Sequence, residues 1–233
     1  NLTITRTGTG TGTVTSTPAG VSCGTTCTFG FDYGALVTLN ASATTSTFTG
    51  WTGGGCSGTG PCTVTMTAAT AVSANFTLNS YLLTVSKNGS SSGTVSSNPP
   101  GIDCGVDCTE AYQAATVVAL TAVPDANTVF AGWSGGGCSG TGACNVTMNA
   151  AATVTATFNL AVYRLNVVKN GTGAGTVTSA PLGVNCGTDC LEDYNAGTLV
   201  TLSAAPAVGA TFAGWTGGGC SGTGTCVVTM AAA

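Results

Sequence analysis

The chain has 233 residues, of which only 5% carry a charge, against roughly 25% in ordinary globular proteins. Four cations and eight anions leave a net charge of −4, so no basic patch is available for nucleic acid. The hydrophobic share of 43% argues against disorder, because disordered chains combine low hydrophobicity with high charge.

The sequence shows no segment suited to a bilayer. A transmembrane helix needs a run of about 18 apolar residues, and the chain has none. It does not open on a charged segment followed by an apolar one, so we expect a mature protein or a fragment. We predict that the protein does not span a membrane.

The first predicted element lies in residues 2–20, LTITRTGTGTGTVTSTPAG. Threonine stands at every odd position from Thr3 to Thr17, and this period of two places the hydroxyls on one strand face. The equivalent segments 83–101 and 165–183 contain Asn-Gly turn signals, so the pattern predicts a β-hairpin in each copy. Because only the first copy has the full threonine ladder, we favour a solvent-facing strand over an ice-binding surface.

An internal repeat organises the chain. Trp51, Trp133 and Trp215 are 82 residues apart, and the cysteines and glycines around them keep this spacing. We predict three tandem modules, at residues 1–79, 80–161 and 162–233. Short alternating segments and frequent turns indicate an all-β fold, with each module a small β-sandwich or barrel. Units this small bury limited apolar area and need additional stabilisation, such as disulfides.

Each module contains four cysteines in two clusters, such as CGVDC and CSGTGAC. An even number of cysteines in Gly- and Ser-rich surroundings favours disulfides formed in an oxidising compartment. A zinc site of four thiolates is the alternative, although zinc knuckles are usually C-x2-C and these clusters are C-x3-C and C-x5-C. The predicted local pairs are Cys23 with Cys27, Cys56 with Cys62, Cys104 with Cys108, Cys138 with Cys144, Cys186 with Cys190, and Cys220 with Cys226.

A tryptophan stands close before three glycines in every module, as in FAGWSGGGC. An exposed indole beside a Gly-rich loop could stack on a sugar ring, and three of them would gain by avidity. The other interpretation, which we favour, places each indole in the core of a module that has few aromatic residues. The candidate carbohydrate-binding residues are Trp51, Trp133 and Trp215.

Acidic residues follow the first cysteine cluster in two of the modules and could bind Ca²⁺ through carboxylate oxygens. They are Asp103, Asp107 and Glu110 in module 2, and Asp189, Glu192 and Asp193 in module 3. Module 1 has only Asp32 in this region, so we interpret these residues as solvated loops. We predict neither a metal site nor another cofactor.

The residues needed for catalysis are scarce. The chain has no histidine to act as a base, no carboxylate pair repeated in every module and no phosphate-binding loop. We therefore predict that the protein is not an enzyme.

Candidate glycosylation sites occur as Asn-x-Ser/Thr sequons, several of which arise by chance in a chain rich in Ser and Thr. A glycan at such a site would help solubility. The candidates are Asn40, Asn75, Asn88, Asn145 and Asn170.

Further landmarks recur in the modules, namely G-x-V, V-T-L-x-A-x-P, F-x-G-W and V-T-M. With them, essentially the whole chain resembles the divergent internalin B-type repeat, the Listeria-Bacteroides class of bacterial cell-surface repeat. The resemblance implies compact all-β modules that are secreted or lie on a bacterial surface, where such repeats serve as spacers in many exported proteins. Module 1 departs from the pattern, since it lacks the proline found at Pro124 and Pro206.

The closing segments of modules 1 and 2 have apolar residues at alternate positions, such as Val72, Ala74 and Phe76 in module 1. This pattern predicts a strand with one apolar face in each of these modules. The third copy stops at Ala233, before that strand. We expect either that another chain fills this place by strand addition or that the polypeptide continues. The linkers FTLNSYLLTV and FNLAVYRLNV contain no Pro or Gly, so we expect stiff joints.

These features predict a non-enzymatic extracellular structural protein, the subunit or a segment of a bacterial surface filament built by end-to-end β-strand contacts between modules. Its expected partners are other copies of itself in a homopolymer, together with a glycan, and no nucleic acid. The alternatives are a multivalent carbohydrate-binding adhesin and the passive stalk of a larger surface protein.

Overall fold

The computed structural model describes residues 1–231, and every regular element in this range is a β-strand. The strands form three modules, each with its own cluster of buried apolar side chains. Six disulfides staple them, two in each module. The predicted all-β, disulfide-stapled fold is confirmed.

Module 1 is a sandwich of two four-stranded sheets. Its strands are β1 (Leu2–Thr7), β2 (Thr13–Thr17), β3 (Ser22–Cys23), β4 (Cys27–Phe29), β5 (Leu36–Ser42), β6 (Ser46–Thr52), β7 (Cys62–Thr65) and β8 (Thr70–Leu78). The first sheet has the order β4-β1-β8-β6 and the second β3-β2-β5-β7. Alternate residues of both sheets, Ile4 and Val37 among them, point into one core.

Module 2 repeats this plan. Its strands are β9 (Ser80–Asn88), β10 (Gly93–Asn98), β11 (Thr109–Gln113), β12 (Val117–Pro124), β13 (Thr128–Gly135), β14 (Cys138–Gly140), β15 (Cys144–Thr147) and β16 (Ala152–Leu160). The first sheet has the order β11-β9-β16-β13-β14 and the second β10-β12-β15.

The first and last strands of a module lie side by side in parallel. β1 pairs with β8 so that Ile4 lies beside Val72, and β9 pairs with β16 so that Val85 lies beside Val154. The last strand also pairs antiparallel with β6 in module 1 and with β13 in module 2. It is therefore an inner strand of the first sheet, and its apolar face closes the core.

The predicted hairpin at the start of each module is wrong. β1 belongs to the first sheet and β2 to the second, and β9 and β10 are divided in the same way. The Gly-rich segment between them crosses from one sheet to the other. Glycines in or directly after this segment allow close packing, because a Cβ atom at Gly12 would collide with the ring of Phe76, and one at Gly93 with Phe158.

Module 3 has the same second sheet but a divided first sheet. Its strands are β17 (Val162–Asn166), β18 (Gly175–Ala180), β19 (Leu191–Asn195), β20 (Leu199–Pro206), β21 (Trp215–Gly217), β22 (Cys220–Gly222) and β23 (Cys226–Thr229). The sheets are β17-β19, β18-β20-β23 and β21-β22. Within residues 1–231, no strand joins β17 to β21 as β16 joins β9 to β13.

Candidate functional site

The joints between modules are the strongest candidate for a functional feature, because the chain builds both in the same way. β8 ends at Leu78 and β9 begins at Ser80, so Asn79 alone links modules 1 and 2. β16 ends at Leu160 and β17 begins at Val162, so Ala161 alone links modules 2 and 3. The last strand of modules 1 and 2 thus continues, after one residue, into the first strand of the next module.

Each linking residue is hydrogen-bonded to the modules on both sides. The Asn79 N–H donates to the Thr45 carbonyl of module 1 at 3.1 Å, and the Ala114 N–H of module 2 donates to the Asn79 carbonyl at 2.8 Å. The Thr47 hydroxyl donates to Asn79 Oδ1 at 2.7 Å. These bonds hold the first joint from both sides.

The second joint repeats these backbone bonds. The Ala161 N–H donates to the Asn127 carbonyl, and the Ala196 N–H donates to the Ala161 carbonyl, both at 2.8 Å. Ala161 is itself buried. Asn127 and Ala196 stand 82 residues after Thr45 and Ala114, so the joint belongs to the repeat.

Sequence reasoning identified the linkers but missed the residues that hold them. Thr45 and Asn127 lie in turns more than 30 residues before their linking residues, and Ala114 and Ala196 lie in turns about as far after. None has a distinctive side chain for this role, because the bonds use backbone atoms. The available signal was the 82-residue spacing, which applies to these turns as well.

The six disulfides join the local pairs expected from the sequence: Cys23–Cys27, Cys56–Cys62, Cys104–Cys108, Cys138–Cys144, Cys186–Cys190 and Cys220–Cys226. Their Cα atoms are 4.2 to 6.1 Å apart. This pairing leaves no thiolate in the clusters to hold zinc. The second disulfide of each module fixes the loop next to the tryptophan.

Each tryptophan is attached to that loop by its indole N–H. Trp51 donates to the Gly60 carbonyl at 2.7 Å, and Trp133 and Trp215 make the equivalent bonds at 3.1 and 2.9 Å. Trp51 is 2% exposed and Trp133 5%, whereas Trp215 is half-buried. The first two indoles therefore lie in the core, which leaves little ring surface for a sugar. Stacking of a sugar on all three tryptophans stays a prediction.

Two of the acidic residues, Asp107 and Asp189, hold the turns of the first cysteine clusters. Asp107 Oδ1 accepts the N–H of Thr109, and Asp189 Oδ1 accepts the N–H of Leu191, both at 3.1 Å. Among residues 1–231, no three His, Cys, Asp or Glu side chains are grouped as a metal site. These contacts match a turn-capping role for the two aspartates.

One exposed ion pair lies on the outer side of module 3. Arg164 Nε and Nη2 donate to the two carboxylate oxygens of Asp193 at 2.7 and 2.8 Å. The hydrogen bonding and the charge of the partner lower the pKa of Asp193 and raise the pKa of Arg164. Module 2 has Leu82 and Ala111 at the equivalent positions.

The candidate glycosylation sites differ in their access to solvent. Four of the five asparagines are exposed: Asn40, Asn88, Asn145 and Asn170. Asn75 is half-buried on β8, and its Oδ1 accepts the Thr7 hydroxyl at 3.4 Å. Modification at these sites stays a prediction.

The fold and joints define a protein of tandem, disulfide-stapled β-modules. A family model for the divergent InlB B-repeat domain matches residues 83–161 and 165–233, which correspond to modules 2 and 3. These matches cover more than half of the chain, so the chain belongs to this family. Comparison with curated proteins and with solved structures gave no match. The described residues include no helix that could cross a membrane.

Proposed function

We propose that the protein is a non-enzymatic extracellular structural protein, a segment of a bacterial surface filament whose modules are joined end to end through β-strands. The observation that carries the proposal is the double attachment of Asn79 and Ala161. Family membership supports a place on a bacterial surface, since the matched domain is an internalin-type repeat.

The joints favour a rod. A one-residue link between two paired strands leaves few free backbone dihedrals, and the bonds on each side restrict those that remain. The two joints share this construction, so they relate successive modules in similar ways. A repeated rotation and translation produces a straight or helical rod.

The disulfides and the small number of charged residues suit a protein exposed to an extracellular medium of varying pH and salt. The local disulfides contribute about 2 kcal/mol each by the chain-entropy model, a large share of the stability of such a small module. With charges on only 5% of its residues, the protein has few groups through which pH or salt could act on the folded state.

Assembly of the filament would use the first sheet of module 3. β17 pairs only with β19 among the described residues, whereas β9 lies between β11 and β16. We assign the place beside β17 to a strand from the next subunit, with apolar residues at alternate positions as in β16. Such a strand would restore the parallel pairing and bury Leu165. The partner is then another copy of the protein.

Competition with a peptide tests this assembly. The peptide ATVTATFNL, residues 152–160, has the sequence of β16 and should bind beside β17. In sedimentation velocity and negative-stain electron microscopy, we expect the chain to associate end to end and the peptide to shorten the particles. The control is the same peptide with Phe158→Asp, whose charge does not fit a core. Monomers at every concentration, with no peptide binding, would refute the assembly.

The rod itself is tested separately by small-angle scattering. Four residues, Gly-Ser-Gly-Ser, inserted after Asn79 should uncouple modules 1 and 2 and shift the distance distribution to shorter values. The matched control is the same insertion after Val208, an exposed turn residue of module 3. Equal distance distributions for both insertions would contradict a stiff joint.

A further inference from the structure

A shallow groove lies at the same place in modules 2 and 3, with volumes of about 340 and 320 Å³. It runs between the second half of β12 or β20 and the loop next to the tryptophan. Eight corresponding positions line both grooves: 120, 121, 122, 130, 133, 141, 142 and 143 in module 2, and the positions 82 residues later in module 3. Because the groove recurs with the 82-residue repeat, it is a feature of the repeated module and not of one copy.

Its lining combines aromatic rings with neutral hydrogen-bonding groups. Phe130 and Trp133 contribute rings, Thr121 and Thr141 contribute hydroxyls, and Asn145 contributes an amide. Module 3 offers Phe212, Trp215, Ser203 and Thr223 at the equivalent positions, and Thr225 at the position of Ala143. All lining residues lie in the described range, and none of them carries a charge.

The rings are held in a fixed geometry before any ligand arrives. Phe130 and Trp133 meet edge to face, with centroids 4.9 Å apart and planes at 65°, and Phe212 and Trp215 have the same values. The indole N–H is already bound to a loop carbonyl, so the phenylalanine ring and the hydroxyls are the groups left for a ligand. Both phenylalanines are half-buried rather than enclosed.

We propose that each of these grooves binds a neutral saccharide, with one ring of the sugar against Phe130 or Phe212 and its hydroxyls bonded to the threonine and serine side chains. Aromatic faces suit the C–H surface of a sugar, and neutral donors and acceptors suit its hydroxyls. The absence of cations in the lining disfavours acidic sugars. The volume is at the low end of the range for small-molecule sites, enough for one or two sugar units.

The site differs from the tryptophan stacking considered from the sequence. Here the tryptophan is a positioning residue and the phenylalanine makes the contact. The inference goes beyond the structural role and does not depend on filament assembly. Two grooves in one chain would give avidity for a polysaccharide carrying repeated units.

An array of immobilised neutral and acidic oligosaccharides, probed with the whole chain, tests the proposal. We expect binding to neutral oligosaccharides and none to those rich in uronic or sialic acid. The variant with Thr121→Glu and Ser203→Glu fills both grooves from exposed positions, so it should fold and bind at least about tenfold more weakly.

The control variant carries Thr147→Glu and Thr229→Glu, exposed residues on the same second sheets that do not line the grooves. It should bind as the parent chain does. Either a failure to bind any neutral oligosaccharide or equal weakening in both variants would overturn the proposal.

Discussion

Modules 2 and 3 are copies of one family domain, yet their cores differ. Leu83 is fully buried, whereas its equivalent Leu165 is only half-buried. Trp133 is 5% exposed and Trp215 is half-buried. The difference coincides with β16, the inner strand of the first sheet, which has no counterpart among the described residues of module 3.

Other features are the same in both modules. The indole hydrogen bond, the edge-to-face aromatic pair and the disulfide of the tryptophan loop are present in each. These features depend on residues close together in sequence, 130–144 in module 2 and 212–226 in module 3, so in module 3 they form without a counterpart of β16 among the described residues. The comparison shows that the tryptophan loop is specified locally, whereas burial of the core requires the last strand.

The largest effect should follow from removing the side chain through which β16 closes the core. Phe158 is fully buried and packs against Phe130. Phe158→Ala should destabilise module 2 by about 3–5 kcal/mol, because it removes buried ring surface and leaves a cavity. Thermal unfolding gives the loss of stability, and hydrogen exchange of segment 128–147 gives its location.

The control is Val129→Ala on the adjacent strand β13, where the side chain is 53% exposed. It should leave both measurements nearly unchanged. If Phe158→Ala leaves the exchange of segment 128–147 at its parental rate, burial of the module 2 core does not depend on Phe158 of the last strand.

Removing the disulfide of the tryptophan loop, which each module has at the same place, should destabilise a module less than Phe158→Ala does. Replacing Cys138 and Cys144 with serine should cost module 2 about 2 kcal/mol, since the bridge closes a short loop. The equivalent change at Cys220 and Cys226 should cost module 3 a similar amount. Denaturant unfolding of each variant measures the loss, with Ser139→Ala in the same loop as the control. A much larger loss in module 2 alone would mean that the loop is not specified locally.

The hydroxyl group of Tyr112 should make a smaller contribution to the stability of module 2. Tyr112 OH and Ser97 Oγ are 2.7 Å apart, and Tyr194 and Ser179 form the same pair at 2.8 Å. Tyr112→Phe should therefore cost about 1 kcal/mol. Module 1 already has Phe31 at the equivalent position, so the change gives module 2 the side chain that module 1 carries.

Urea unfolding measures this effect. The control is Tyr33→Phe, whose side chain is 85% exposed and should show no change. Equal stability of Tyr112→Phe and the parent chain would show that Ser97 keeps its bonds without the tyrosine.

Much of this arrangement was predictable from the sequence. The tandem repeat follows from the 82-residue spacing, whereas the six disulfide pairs and the alternating strands follow from short-range signals. The division of β1 and β2 between two sheets was not predictable from Asn88-Gly89, because a turn signal shows where the chain bends and not which strand it joins. The joint contacts and the shared groove depend on backbone atoms and residues far apart in sequence, which a linear pattern does not reveal.

The smallest expected effect concerns the ion pair that distinguishes the outer surface of module 3 from that of module 2. The pKa of Asp193 is lowered by its hydrogen bonds to Arg164, so the pair stabilises the folded state above the ordinary pKa of an aspartate. This contribution is lost as the pH falls through the lowered pKa and the carboxylate is protonated. Arg164→Gln should therefore unfold slightly more easily than the parent at neutral pH, and equally easily at the acid end.

Thermal unfolding of both proteins from pH 7 to pH 2 measures this difference, which should be small because both side chains are well exposed. The matched control is Leu82→Gln in module 2, which lacks a charged partner at Ala111 and should show no such trend with pH. A difference that persists unchanged at the lowest pH would mean that Arg164 acts through packing of its aliphatic stem rather than through its charge.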